Sequence, residues 1–436
     1  MDESKIGLKD AVSIGIGGMV GGGIFAVLGL AVGLARGGTP VAFLLAGVIA
    51  FLTSYSYARL SLAFPDSGGT VKFVNQAFGK NVFSGGTNNL LWISYIVMLS
   101  LYASAFGSYG ANLVGLTGNT ELDKHLYLSG IVIFSSAINY ISFRAVSLTE
   151  SAAVYTKLLI LGAFVIIGFY GLSKSQYLGQ LTFSEWKNPL ALLTGGMVIF
   201  VAYEGFELIA NSVPNIRDPQ KNVPRAFYVS VISVIILYVL IAIITVGSLS
   251  FDRIRSAEEY VLAAAAQPLL GQAGFTIITI TALISTFSAI NATLYGGSRV
   301  NYRIAENDEL PHEFTKVFWN QPVGLLVTAV LTLLIANILN LESISTSGSA
   351  GFLLIFAIVN HANYKLADRT GSLKYLSLGA AGLCSVALLA LIFQQFGANP
   401  TGATAGVAII LSAYLIEFIY KKSEIFESGR GEKGDG

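Results

Sequence analysis

Three residues in this chain carry charge where the surrounding sequence is apolar. Lys157 lies in SAAVYTKLLILGAFVIIGFYGL, and no other charged residue appears between Glu150 and Lys174. Glu204 and Glu207 flank Gly205-Phe206 in FVAYEGFELIA. An amine taken out of water changes its protonation readily when its surroundings change, which is the chemistry of proton coupling. The neighbours of Lys157 at helical spacing, Ala153, Val154, Ile160 and Leu161, offer it no counter-charge. Two plainer roles stand beside that one: a long side chain reaching to the membrane surface, and a fixed ammonium that braces helices. A carboxylate at membrane depth is expensive and rarely faces lipid. Glu204 and Glu207 therefore line a watery cavity, are protonated, or are held by hydrogen bonds from a neighbouring helix. The third feature is GIGGMVGGGIF, with glycines at 15, 17, 18, 21, 22 and 23. Glycine is a poor helix residue, so Gly21-Gly22-Gly23 can unwind and offer backbone N–H groups to an anion. Close packing of helices is the alternative use of such a run, and Gly17-x-x-x-Gly21 fits it.

The elements that must position these residues are membrane helices. Of the 436 residues, 54% are hydrophobic and only 12% are charged, and the mean hydropathy is +0.68. Soluble domains carry about 25% charged residues. Runs of roughly 20 mostly apolar residues occur at 11–35, 40–63, 83–112, 127–143, 150–172, 190–212, 225–249, 273–298, 322–341, 343–364, 374–395 and 402–420. They predict an all-α integral membrane protein with twelve transmembrane helices. Residues 1–422 form one transmembrane domain, and 423–436 read as a disordered cytoplasmic tail. With twelve spans both termini share a side. Nineteen lysines and arginines fall on that side and six on the other, which makes the termini cytoplasmic and the protein a multi-pass component of the cell membrane. Lys157 is the one basic residue that neither side claims. Interruptions in spans 1 and 6, at matching places in the two halves, are the signature of an inverted repeat. Spans 1–5 (about 11–172) and 6–10 (about 190–364) form a 5+5 repeat, and spans 11 and 12 (about 374–420) are additions.

The same features exclude other classes. A net charge of +1 argues against a nucleic-acid binder. His125, His312 and His361 have no metal-ligand spacing, and no nucleophile–base pairing stands out, so neither a metal site nor an enzyme is expected. No phosphate-binding lysine loop is present to spend ATP. A passive channel needs rows of polar residues along its spans, and these are lacking. The partner expected from composition is the lipid bilayer, with no obligatory protein partner; the amino acid substrate is what the family resemblance below implies. Tyr102, Phe106 and Tyr109 recur at helical spacing in span 3, where they pack the core or close a pocket.

Four segments, in order, resemble the amino acid–polyamine–organocation transporters: GGMVGGGIF; YARLSLAFPDSGGTVKFVNQAFG (57–79); FVAYEGFELIANSVPNIRDPQKNVPRAF (200–227); and STFSAINATLYGGSRVNYRIAENDELPHEF (285–314). Asn211-Ser212-Val213-Pro214 departs from that pattern, where an acidic pair is frequent, and so does Arg59, where a carboxylate is frequent. The resemblance implies the fold of the bacterial leucine transporter, with helices 1 and 6 broken around an amino acid at mid-membrane. It implies that the N–H groups of Gly22 and Gly23, beside Gly21, bind the substrate carboxylate, which agrees with the affinity of a helix N-terminus for anions. The carbonyls of Met19, Val201, Ala202 and Glu204 would take the ammonium, and Tyr203 and Phe206 would set selectivity. Val201 stands where some relatives place a bulky aromatic, which implies a roomier pocket. In sodium-coupled relatives of this fold, an ion ties helix 1 carbonyls to helix 8 hydroxyls. Here Lys157 takes the ion's place, with the Gly18 carbonyl and the Ser285 and Ser288 hydroxyls as partners. The function implied is sodium-independent, proton-coupled symport of neutral amino acids with broad specificity, the proton being the coupling ion and no cofactor being needed. An obligatory exchanger is the alternative.

Overall fold

The computed structural model describes residues 6–141, 143–318 and 321–431, with side chains for all of these except 141–153, 318 and 423–431. Lys5, Arg144, Arg430 and Lys433 of the charge ledger, and the last residues of the tail, lie outside the described side chains. The described chain is almost wholly helical; a two-residue hairpin, Val317–Phe318 with Gln321–Pro322, is its one sheet.

The first apolar run divides into α1 (Leu8–Met19) and α2 (Gly23–Ala35), bent by 46° at Val20-Gly21-Gly22. There follow α3 (Thr39–Ala63), the short α4 (Thr70–Phe78), α5 (Val82–Leu113), α6 (Thr120–Ile141) and α7 (Phe143–Leu172). The sixth run divides again. α8 (Pro189–Val198) gives way to a 3-10 turn over Phe200–Tyr203 and to α9 (Leu208–Ser212), with a bend of 54°. Then come α10 (Pro219–Ser248), α11 (Phe251–Ser256) and α12 (Val261–Glu306). α12 starts earlier than the predicted span because nearly three helical turns from Val261 precede a kink at Gly271 (φ 63°), close behind Pro268. α13 (Val323–Ile338), α14 (Leu341–Lys365), α15 (Ala367–Thr370), α16 (Lys374–Ala398) and α17 (Pro400–Gly431) complete the chain. α17 continues past Lys422 into the stretch expected to be a disordered tail. Extending an existing helix adds one hydrogen bond per residue fixed, without a new nucleus.

Among the described residues, eight helices are long and apolar enough to cross a membrane, or up to ten when each bent pair is one span. Two of the twelve predicted spans fall short of that standard. α13 has 16 residues, roughly 24 Å of helix against a hydrocarbon core of roughly 30 Å. The first turns of α6 carry Glu121, Asp123, Lys124 and His125. Lipid-facing side chains such as Leu159, Ile166, Leu389 and Phe393 are exposed, whereas the middle of α5 and α14 is buried almost throughout. α5 and α14 therefore run through the centre of the bundle.

Candidate functional site

The two breaks cross at glycine. A Cβ on Gly18 would lie 2.7 Å from the Gly205 carbonyl oxygen, and one on Gly205 would lie 2.5 Å from the Gly18 carbonyl carbon. Gly205 has φ +115°, a conformation open to glycine at little cost. Gly23 meets Ala202 in the same way, at 2.8 Å from its Cα. The glycine run thus does both things considered from the sequence: it unwinds α1 from α2, and it lets the two broken helices touch backbone to backbone.

A broken helix leaves backbone carbonyls without intrahelical donors, and in a membrane interior these must be satisfied by side chains. Four helices supply them. From α10, the Tyr238 hydroxyl donates to the Met19 carbonyl (2.7 Å) and the Ala202 carbonyl (3.2 Å). α12 contributes Ser285, whose hydroxyl donates to the carbonyls of Val20 (2.9 Å) and Gly21. Ser345 and Ser349 of α14 donate to the Val198 carbonyl (2.7 and 2.9 Å), and the Val201 N–H donates to Ser349 Oγ (2.9 Å). Finally, the Lys157 ammonium of α7 donates to the Gly17 carbonyl at 3.1 Å.

Lys157 is 2% exposed. Its amine turns into the bundle toward the helix 1 break, so it does not reach for the membrane surface. The acceptor described is Gly17, one residue before the Gly18 expected. A carbonyl in the last turn of α1 points along the helix axis, and Gly17, like Gly18, belongs to that turn. Gly17, Gly18 and Ser288 line one cavity, and Ser285 is bonded to the same break. Lys157, Gly18, Ser285 and Ser288 are therefore assembled around the end of α1. On its other side the Lys157 stem lines a groove of about 140 Å³ with Ile160, Ile277, Ile280, Thr281 and Ile284.

The cavity at the crossing measures about 50 Å³. One water fills roughly 10–15 Å³ on that measure, so there is room for a few waters and no amino acid. Its walls come from the first half of helix 1 (Ile14, Gly17, Gly18), from Tyr95 and Tyr102 of α5, from Val154, from Glu204 and Leu208, and from the later part of α12 (Ser288 to Gly297). The walls thus lie on the side of the crossing from which the chain enters. Ile6 pairs with Ile216 on that side, its N–H donating to the Asn215 carbonyl.

Glu204 and Glu207 are 4% and 2% exposed. Glu207 accepts from the Gly205 N–H at 2.7 Å and from the Tyr95 hydroxyl at 3.5 Å. Glu204 and Tyr102 both line the cavity. Tyr102 also packs on Gly22, 2.2 Å from where a Cβ would stand. Its ring thus lies against Gly22, one of the two residues whose N–H groups are expected to receive a carboxylate. Tyr109 instead packs edge-on against Phe25, with ring centres 6.1 Å apart.

Several expected binding residues point elsewhere. The Val201 side chain packs toward Gly348. The Tyr203 hydroxyl donates to the Phe43 carbonyl at 2.8 Å. Phe206 sits among Tyr57, Phe227 and Phe356. The Met19 and Ala202 carbonyls already accept from Tyr238. Tyr238, Ser349 and the small residues Ala289, Ala292 and Thr293 were missed from sequence. The helical spacing of Ser285, Ser288, Ala292 and Gly296 is the signal that marks this face of α12. Among the described residues no group of His, Cys, Asp and Glu has the arrangement to hold a metal ion.

A family model described as amino acid permease matches residues 6–419. An uncharacterised protein of Methanocaldococcus jannaschii is 34% identical over 97% of this chain and 96% of its own. The inner membrane transport protein YbaT of Escherichia coli is 32% identical over 96% of this chain and 97% of its own. An uncharacterised transporter of Mycobacterium tuberculosis is 28% identical over 79% of this chain and 76% of its own.

Proposed function

The chain belongs to the amino acid permease family, a transporter family and not an enzyme family, and from that footing we propose that it is a sodium-independent, proton-coupled symporter of neutral amino acids. It works by alternating access in the cell membrane, with both termini in the cytoplasm, and it is built as twelve helices with a 5+5 inverted repeat. The name of the inner-membrane relative supports the location. The two bent pairs, first in their respective halves, support the repeat.

The observation that carries the coupling is the buried Lys157 amine on the Gly17 carbonyl. Charged, the amine holds α7 against the end of α1, while Ser285 holds α12 against the next residues of the same break. Neutral, it keeps a donor but loses the charge that strengthens the bond roughly twofold. Protonation therefore shifts the balance between conformations in which these helices are together and apart. No second cation is needed, because the ammonium occupies the place where an ion would bridge the two helices. Substrate binds at the crossing once Tyr102 moves off Gly22. Its carboxylate then meets the first-turn N–H groups of α2, including those of Gly22 and Gly23, and its ammonium meets the carbonyls freed by the breaks.

The test is Lys157→Ala in proteoliposomes. The variant should bind substrate and exchange it across the membrane while losing accumulation driven by a pH gradient. Accumulation retained in Lys157→Ala contradicts the coupling role. Transport by the unmodified protein that requires substrate on both sides makes it an exchanger.

A further inference from the structure

On the side of the crossing away from the chain's N-terminus, a short segment lies against the second half of helix 1 and carries an ion pair to the bundle. The chain between α10 and α12 folds as α11 and a 3-10 turn over Glu258–Tyr260. The Glu258 backbone lies on Gly29 of α2 so closely that a Cβ there would stand 2.1 Å from the Glu258 carbonyl oxygen. Next to it, the Glu259 carboxylate accepts from Lys124 of α6 at 2.5 Å and from the Ser108 hydroxyl of α5. The Lys124 and Glu259 side chains are 15% and 29% exposed. None of the six other described ion pairs joins this segment to the bundle. Lys124 is itself fixed, since its carbonyl would be 2.6 Å from a Cβ on Gly107 of α5. The segment thus sits on the second half of helix 1, and among the described residues its one ion pair runs to α6, with a hydroxyl of α5 beside it.

We propose that Glu259 is a positioning residue of the transport cycle. Its bonds to Lys124 and Ser108 pin the 257–260 segment over α2 and keep the far side of the crossing shut, and they must part before substrate can enter from that side. The chemistry suits a reversible latch. A charge-assisted pair at a partly wet surface holds geometry well, yet it re-solvates at modest cost when it opens. Gly22, just before α2, and Ala26 and Gly29 within it follow one another at helical spacing. The Tyr102 ring covers the first of these and the Glu258 backbone the last, so the buried Ala26 reports whether the path between them is open. The proposal rests on the alternating-access reading.

The experiment labels Ala26→Cys in a Cys384→Ala background, in reconstituted full-length protein, with a membrane-impermeant maleimide applied from the side opposite the N-terminus. With the latch intact, labelling should be slow. Glu259→Gln should speed it by roughly tenfold or more, the change expected when a hydrogen-bonded charge loses its partner. Ser108→Ala should speed it less. The exchanged pair Lys124→Glu with Glu259→Lys should return it toward the slow rate, which a merely structural role would not do. Equal rates with and without Glu259→Gln, or an exchanged pair that labels as fast as Glu259→Gln alone, overturn the proposal. Should Glu259→Gln fail to fold, Ser108→Ala and the exchanged pair decide the matter. Labelling requires no transport, so a protein that labels as expected and carries no amino acid overturns the carrier reading alone.

Discussion

Gly205→Ala tests whether the two breaks meet backbone to backbone. At φ +115°, any residue with a Cβ holds a sparsely populated conformation at a cost of about 1–3 kcal/mol. The added methyl would lie 2.5 Å from the Gly18 carbonyl carbon and 2.6 Å from the Met19 nitrogen, where a relaxed contact is about 3.5–4.0 Å. Both obstacles are main-chain atoms, so no rotamer change relieves them, and the breaks must part by roughly 1 Å. Overpacking of that kind costs about 1–3 kcal/mol, which brings the total to about 2–6 kcal/mol. Gly33→Ala is the matched control. It makes the same chemical change in the interior of α2, where nothing lies within 4 Å of the new atom, and it should stabilise by up to about 0.5–1 kcal/mol through helix propensity. Thermal unfolding of detergent-solubilised protein, followed by loss of the monodisperse peak, reads both. Gly205→Ala should melt several degrees below the parent and lose uptake, whereas Gly33→Ala should melt at or above it. A Gly205→Ala protein that melts with the parent and still transports would refute the crossing.

Three other expectations follow from single contacts. Tyr238→Phe keeps the volume but leaves the Met19 and Ala202 carbonyls without their donor; it should cost about 1–3 kcal/mol, read as a lowered melting temperature. Ser285→Ala unties α12 from Val20 and Gly21, and it should slow uptake while substrate binding, measured by calorimetry, survives. Glu309, in the connection after α12, is buried against Asn88, whose amide donates to it at 2.7 Å. Burial raises its carboxyl above the ordinary carboxylate range. The folded state therefore binds more protons than the unfolded state as pH rises through and above that range, and this group's contribution to stability declines with it. Glu309→Gln should flatten the loss of melting temperature between pH 5 and pH 7.5, and an unchanged slope would contradict the assignment.

Much of the architecture was legible because membrane helices advertise themselves by length and apolarity. The two breaks showed as glycines and carboxylates inside such runs. Lys157 stood out because the sequence around it offers no counter-charge. Other features were less readable. The start of α12 was hidden because Ala263 to Ala266 are helix formers in what looked like a connection, and only Gly271 marks the kink. Side-chain direction was harder still. Val201, Tyr203 and Phe206 lie in the right segment, but a 3-10 turn sends successive side chains to different neighbours, and spacing alone does not say which of them faces the cavity. Tyr238 was missed because a tyrosine in an apolar helix looks the same whether its hydroxyl ends at the surface or on a freed carbonyl. The Glu259–Lys124 pair joins residues far apart in sequence, and nothing local announces it.

The most direct test of coupling through Lys157 is the driving force itself. Purified protein in liposomes, preloaded at neutral pH and diluted into acidic, sodium-free buffer, should accumulate a labelled neutral amino acid against its gradient. A sodium gradient imposed at equal pH should drive nothing. Accumulation that follows sodium and ignores the proton gradient would contradict the role assigned to the buried amine.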